Sequence, residues 1–279
     1  MSNSVKHFAL VVFLALLAPL PAAHSAVLTF DPMVSTNFDS MTAAQAISTL
    51  TPPWTGTNPS SIVATGPSGS GNSSSKAITA TGGTKLTAVS PQQSLPTAFT
   101  DATTGDMLYF SASLLKNGGE GSVLFNSSNA ATGTAGITLG GFGMAANIPA
   151  NGGGQFTYYT SSGLRTSTAA PTRDTWYEMA LVVRLDTTNY ANSLGYLYYR
   201  AAGATEFTLL PEFEGGMKMS WWTSSLNATD FAYYRIDNAR NGLQIDNLSV
   251  GMVVPEPSVS MLSGAALSTL GFFATRRKK

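Results

Sequence analysis

Two carboxylates one residue apart are the first candidates for chemistry in this sequence: Glu212 and Glu214 flank Phe213. Residues two apart share a face of a strand, so both would project together. A carboxylate pair of this kind suits glycoside hydrolysis. A second acidic set comes from Asp246, next to Asn247, with Asp31 and Asp39 near the other end. Carboxylates and backbone carbonyls are hard oxygen ligands suited to Ca²⁺. A third set is aromatic. Tyr158-Tyr159, Tyr198-Tyr199, Trp221-Trp222 and Tyr233-Tyr234 are adjacent pairs. Strand neighbours point to opposite faces, so one ring of each pair can enter a core while the other stays outside. Exposed Trp and Tyr rings offer sugars an apolar face and a polar tip. Trp221, Trp222, Tyr198 and Tyr199 are the candidates for such a platform.

What the sequence lacks narrows the chemistry further. There is no cysteine, and the two histidines, His7 and His24, both fall in the first 25 residues. Beyond them there is no material for a Ser-His-Asp site or for His- or Cys-ligated zinc, copper, haem or iron–sulfur. A chain without disulfides must be held together by its core. No basic patch appears, so nucleic acid is not an expected partner.

The elements that would position these residues are strands. Leu108, Phe110, Ala112 and Leu114 alternate with Tyr109, Ser111 and Ser113. Tyr177, Met179, Leu181, Val183 and Leu185 alternate with Trp176, Glu178, Ala180, Val182 and Arg184. Both are the period-two pattern of strands. Further strands are expected at 27–30, 61–64, 77–80, 85–89, 122–126, 137–142, 155–160, 196–200, 206–210, 220–223, 231–237 and 243–250. Asn117-Gly118-Gly119 predicts a hairpin turn into the strand at 122–126. One short helix is expected, over 43–50. Strands without long intervening helices predict an all-β, antiparallel sandwich. In the last strand the apolar parity switches, from Leu243 and Ile245 to Leu248 and Val250. A β-bulge at Asp246-Asn247 produces such a slip. First and last strands side by side would let Asp246 meet Asp31 and Asp39 around an ion.

Both ends differ from this body. Lys6 and His7 precede an apolar run from Phe8 to Ala18, and Ala23-His24-Ser25 offers small residues for cleavage before Ala26. That is the pattern of a secretory signal peptide over 1–25. At the other end, Pro255-Glu256-Pro257 precedes an uncharged run over 258–275 and the basic tail Arg276-Arg277-Lys278-Lys279. Eighteen helical residues span about 27 Å, enough for a bilayer core, and a terminal basic cluster stays cytoplasmic. Trimming both ends leaves 10 basic against 14 acidic residues, a net charge of −4.

A tripeptide, a single hydrophobic helix and a basic tail in this order resemble the PEP-CTERM sorting signal of exopolysaccharide-producing Gram-negative bacteria. The resemblance covers 254–279. It implies export with the help of signal peptidase, transient anchoring in the inner membrane, recognition of Pro255, Glu256 and Pro257 by an exosortase, and release to the cell surface. The body, 26–253, resembles concanavalin-like (laminin-G-like) jelly-roll sandwiches in Asn37-Phe38-Asp39-Ser40, Trp176-Tyr177, Gly195-Tyr196-Leu197-Tyr198-Tyr199 and Ile245-Asp246-Asn247-Leu248. Glycosidases of that fold carry a Glu-x-Asp-x-x-Glu strand, which Glu212-Phe213-Glu214-Gly215-Gly216-Met217 does not complete. Its polysaccharide lyases commonly use a His. The expectation is a non-enzymatic structural or adhesive component of an extracellular polysaccharide matrix, with no certain cofactor and a structural Ca²⁺ as the candidate ion. The alternative is a carbohydrate-binding or carbohydrate-cleaving sandwich.

Overall fold

The alternating stretches of the body become strands. A computed structural model describes residues 25–36, 54–56, 62–65, 76–79, 84–88, 102–115, 120–129, 134–145, 154–222, 231–240 and 243–254. The signal peptide and the sorting signal, with Pro255, Glu256, Pro257, Arg276, Arg277, Lys278 and Lys279, lie outside these residues but for Ser25 and Val254. So do Asp39 and the helix expected over 43–50. No helix among the described residues is long and apolar enough to cross a membrane.

The chain opens with β1 (Ser25–Ala26), β2 (Thr29–Thr36), β3 (Trp54–Gly56), β4 (Ile62–Thr65), β5 (Lys76–Thr79) and β6 (Thr84–Ala88). The middle holds β7 (Met107–Leu115), β8 (Glu120–Asn129), β9 (Thr134–Met144), β10 (Phe156–Thr160), β11 (Gly163–Thr166) and β12 (Trp176–Arg184). It ends with β13 (Leu194–Ala201), β14 (Phe207–Leu209), β15 (Met217–Lys218), β16 (Phe231–Arg240) and β17 (Gln244–Val254). These form an antiparallel β-sandwich. One sheet runs β1-β14-β13-β12-β7-β17-β5-β4, with β15 beside β13 and β2 beside β17. The other runs β11-β10-β9-β8-β16-β6-β3.

Between the sheets lies one apolar core. Phe110 of β7 meets Phe125 of β8 with ring centroids 4.3 Å apart, and Phe125 meets Phe142 of β9 at 5.8 Å. Leu181 of β12 packs against Gly140 of β9 in the opposite sheet. Its Cδ2 lies 2.5 Å from where a Cβ on Gly140 would be, so any larger residue there would force the Leu181 side chain to shift. Fully burying a Leu or Phe side chain stabilises by about 1.5–3 kcal/mol. A chain without cysteine rests on such burial.

Two expectations change. Asn117-Gly118-Gly119 does not close a hairpin, because β7 and β8 belong to different sheets. β7 pairs with β12 and β17 and is buried on both faces, so both its edges are taken. The segment expected as a strand at 220–223 is a turn through Trp222, following β15.

The bulge in the last strand is present. Between Asp246↔Ser113 and Ser249↔Ser111, β17 advances three residues while β7 advances two. Asn247 takes up the extra residue at φ 51°. Left-handed backbone is open to Gly and tolerated by Asn, whereas other L-residues meet a clash costing about 1–2 kcal/mol. The first and last strands are also side by side, with β2 paired to β17 from Thr36↔Leu248 to Thr29↔Val254. Asn247→Gly should keep the denaturation midpoint, and Asn247→Val should lower stability by about 1–2 kcal/mol. Equal midpoints for both variants in urea titrations would contradict a left-handed requirement at this position.

Candidate functional site

Three neighbouring strands line up a polar row. Ser113 of β7 lies opposite Glu178 of β12, and Glu178 lies opposite Arg200 of β13. Asp246 of β17 lies opposite Ser113 on the other side. Opposed residues share a face. Tyr177, Met179 and Leu181 point into the core, so this row faces away from it.

Arg200 is fixed from several directions. Its Nε and Nη2 donate to Glu178 Oε2 at 2.9 and 2.6 Å. Its Nη1 reaches the Thr205 carbonyl at 3.5 Å, and its guanidinium carbon lies 4.2 Å over the centre of the Phe207 ring. Both ion-pair side chains remain 28% exposed. That exposure opens into a cavity of about 550 Å³. Ser113, Glu178, Arg200 and Asn247 line it, with Trp176 and Val27. The Ala201–Thr205 stretch between β13 and β14 lines it as well. Asn247 Nδ2 is 3.4 Å from Ser113 Oγ. Asp246 is fully buried at the foot of the same row.

The chain's first described segment crosses this face. β1 pairs with β14, as Ala26↔Phe207, and two residues later β2 pairs with β17. Val27, between them, lines the cavity. Phe30 stacks on Tyr109 of β7 at 4.2 Å and meets Phe207 of β14 edge-on at 5.5 Å. On a flat sheet β7 and β14 would stand about 14 Å apart, three spacings of about 4.8 Å. One ring touches both because the sheet curls towards this side. Tyr109 is 1% exposed beneath Phe30 and shares a 2.8 Å hydrogen bond with Ser249. Burial pushes its phenol up, against the Ser249 bond and with help from the Asp31 and Glu178 charges.

The residues singled out from the sequence are scattered. Glu212 and Glu214 are not on a strand: Glu212 sits in a 3₁₀ turn, Pro211–Phe213, and Glu214 ends it, exposed. Glu212 instead braces the segment before β12. It accepts from Ser167 Oγ at 2.7 Å, Thr168 N at 2.6 Å and Thr168 Oγ1 at 2.9 Å. Desolvation pushes its carboxyl up, but these bonds outweigh it and hold the pKa below its ordinary value.

The four-ring platform is not assembled on one face. Trp222 is buried, and both indoles donate to the Leu139 carbonyl, Trp222 at 2.5 Å and Trp221 at 3.2 Å. Leu139 is the extra residue where β9 slips against β8, between Gly140↔Phe125 and Thr138↔Asn126. Tyr199 turns inward, 4.7 Å from Phe156. Tyr198, its neighbour, lies opposite Ala180 on the cavity side. Asp31 pairs with Met252, six positions along β17 from Asp246, roughly 20 Å at about 3.3 Å per residue. The strands are adjacent, but Asp31 does not meet Asp246. Among the described residues no group of three or more His, Cys, Asp or Glu is placed to hold a metal ion.

Glu178 and Arg200 were not singled out, because they are 22 residues apart and meet only through the β12–β13 register. Their signal was a charge set among apolar neighbours on each strand.

No family model and no curated protein matches the chain. Solved structures do. An alginate lyase from Aplysia kurodai is 11% identical over 80% of this chain and 99% of its own, with a TM-score of 0.48. An endo-β-1,4-glucuronan lyase from Trichoderma reesei is 10% identical over 79% and 95%, with a TM-score of 0.42. A galectin from Caenorhabditis elegans is 10% identical over 54% and 86%, with a TM-score of 0.27. At these identities the likeness is one of fold. It corrects the expectation of a non-enzyme, since the similar structures include polysaccharide lyases. The physical reason is that having no Cys, no His beyond His24 and no glycosidase carboxylate pair does not exclude catalysis, because Glu, Lys and Tyr also serve as general acids and bases.

Glu212 gives a test of its bracing role. Its lowered pKa means that its bonds stabilise the fold above about pH 4.5, and that this is lost as the pH falls through the folded-state value. Glu212→Gln should cost about 1 kcal/mol at neutral pH, discounted for exposure. The gap to the unmutated chain should close under acid conditions. Denaturant titrations across pH check it, and a gap constant down to about pH 3 would refute it.

Proposed function

We propose that this chain is a carbohydrate-recognising β-sandwich whose binding site is the cavity floored by Glu178 and Arg200. The observation that carries the reading is the geometry of that ion pair. Arg200 places both of its bonds to Glu178 on one carboxylate oxygen, Oε2. Among the described residues no hydrogen bond reaches Oε1, which leaves an acceptor for a ligand hydroxyl. The guanidinium presents further N–H donors in a fixed fork. Ser113 and Asn247 add a hydroxyl and an amide, and Trp176 adds an aromatic wall. Convergent polar groups beside an aromatic wall, in about 300–1,000 Å³, are what a small-ligand pocket requires. The pair is neutral as a whole, so hydroxyl patterns rather than bulk charge select the ligand.

Calorimetric titration tests this, with neutral oligosaccharides and with alginate and glucuronan fragments. Glu178→Gln keeps the shape and removes the charge. It should weaken binding by about tenfold, the loss of one charge-assisted hydrogen bond. The same mixtures, followed by ultraviolet absorbance of unsaturated uronates, report any elimination. No binding to any probe, or binding indifferent to Glu178→Gln, would defeat the reading.

The address is part of the proposal. The chain is exported through the signal peptide over 1–25 and sorted by Pro255-Glu256-Pro257, with an exosortase as its processing partner and the cell surface of a Gram-negative bacterium as its destination. A polysaccharide matrix outside the cell would then supply the glycan. Intact mass on protein from its native host should show a chain beginning near Ala26 and lacking the basic tail. A mature chain still ending in Lys279 would reduce the C-terminus to a plain anchor.

A further inference from the structure

We infer that the cavity holds the end of a glycan chain and not a stretch from its interior; this rests on the saccharide reading above. The outer face of the large sheet changes character along its strands. The first row is Ser113, Glu178 and Arg200. Two residues on come Ser111, Ala180 and Tyr198, and two further on Tyr109, Val182 and Tyr196. The last row is closed to ligand. Tyr109 and Val182 are buried in an apolar cluster with Val253, and Leu28 and Phe30 pack against it. A glycan running along the strands would have to displace Phe30 from Tyr109.

The crossing direction is closed too. Beyond Arg200 lies Phe207, under its guanidinium, and β1 is paired to Phe207 through Ala26. Val27 then rises over the cavity at 53% exposure. One segment, Ala26–Phe30, therefore walls the cavity along the strands and across them.

The wall is built in. β2 forms a ladder with β17 from Thr29↔Val254 to Thr36↔Leu248. Gly251 lets it approach closely, since a Cβ there would meet the Asp31 carbonyl and the Tyr109 ring. A ligand that reaches Glu178 and Arg200 enters a blind pocket, and a blind pocket selects a terminus.

The test is the length dependence of affinity, measured with the full chain on alginate and β-1,4-glucan oligosaccharides of two to eight sugars. Counted per chain, affinity should be flat within about twofold across the series. Phe30→Ala, which opens one end, should make affinity climb with length by about tenfold. If that variant does not fold, the unmutated protein still decides: polymer of high and low molecular weight should bind equally per chain end. Affinity of the unmutated protein that climbs tenfold from two to eight sugars overturns the chain-end inference and leaves the saccharide reading standing. Absence of binding at every length overturns both.

Discussion

The large sheet depends on the bulge in β17. This strand lies between β7 on one side and β5 and β2 on the other, so both of its edges carry ladders. Before the bulge Ile245 faces the core; after it Leu248 and Val250 do. Without the extra residue one half of the strand would turn its apolar side chains to solvent. The slip keeps both halves apolar inward. It also sends Asp246 to the outer face beside Ser113 and leaves Asn247 projecting at the cavity. One backbone irregularity thus serves the core and the site together, which fits the placing of bulges where side chains need re-aiming.

From that strand the outer face is organised by two competing demands. A sheet face without a covering layer should be polar. Here it is polar at one end and apolar at the other, and the apolar end is roofed by Leu28 and Phe30. The roof exists because β1 and β2 belong to distant strands of one curled sheet with only Val27 and Leu28 between them. So short a connection has to cross the curled face. The cavity is the part of that face the crossing leaves uncovered.

Much of this was legible in the sequence, and the misreadings have physical causes. Period-two alternation placed the strands at 107–115 and 176–184, and the parity switch located the bulge, because both are local consequences of the pleat. Asn117-Gly118-Gly119 misled because turn residues report that the chain turns, not which sheet it joins. That β7 is buried on both faces, with β12 and β17 on its two edges, is a matter of pairing, which its alternation with Tyr109, Ser111 and Ser113 does not encode. Glu212 and Glu214 misled because Pro211 starts a 3₁₀ turn and breaks the strand pattern that their spacing assumed. The Trp pair misled because a bulge at Leu139 frees a carbonyl that both indoles can reach. Glu178 and Arg200 could be read only as outward positions; their meeting is a matter of register, which composition does not encode.

A partly buried Arg–Glu pair is weak evidence of selection for stability, since well-packed apolar residues often serve a fold as well or better. Its neighbours on the same face, Ala180 and Val182, show that this sheet accepts small and apolar side chains there. Yet the chain holds Arg200 with a doubled bond to Glu178, a carbonyl and an aromatic face. Such fixing costs side-chain entropy and gives little back to a surface that water can reach. It suits the proposed binding site, where a fork of donors and a carboxylate oxygen without a bond from Arg200 would already be in place when a ligand arrives, because ordering completed during folding is not charged against binding. That the chain has no Cys and no His beyond His24 does not weaken that logic. Under the proposed reading, recognition would rest on Arg200, Glu178, Asn247 and Ser113, among the polar side chains that line the cavity.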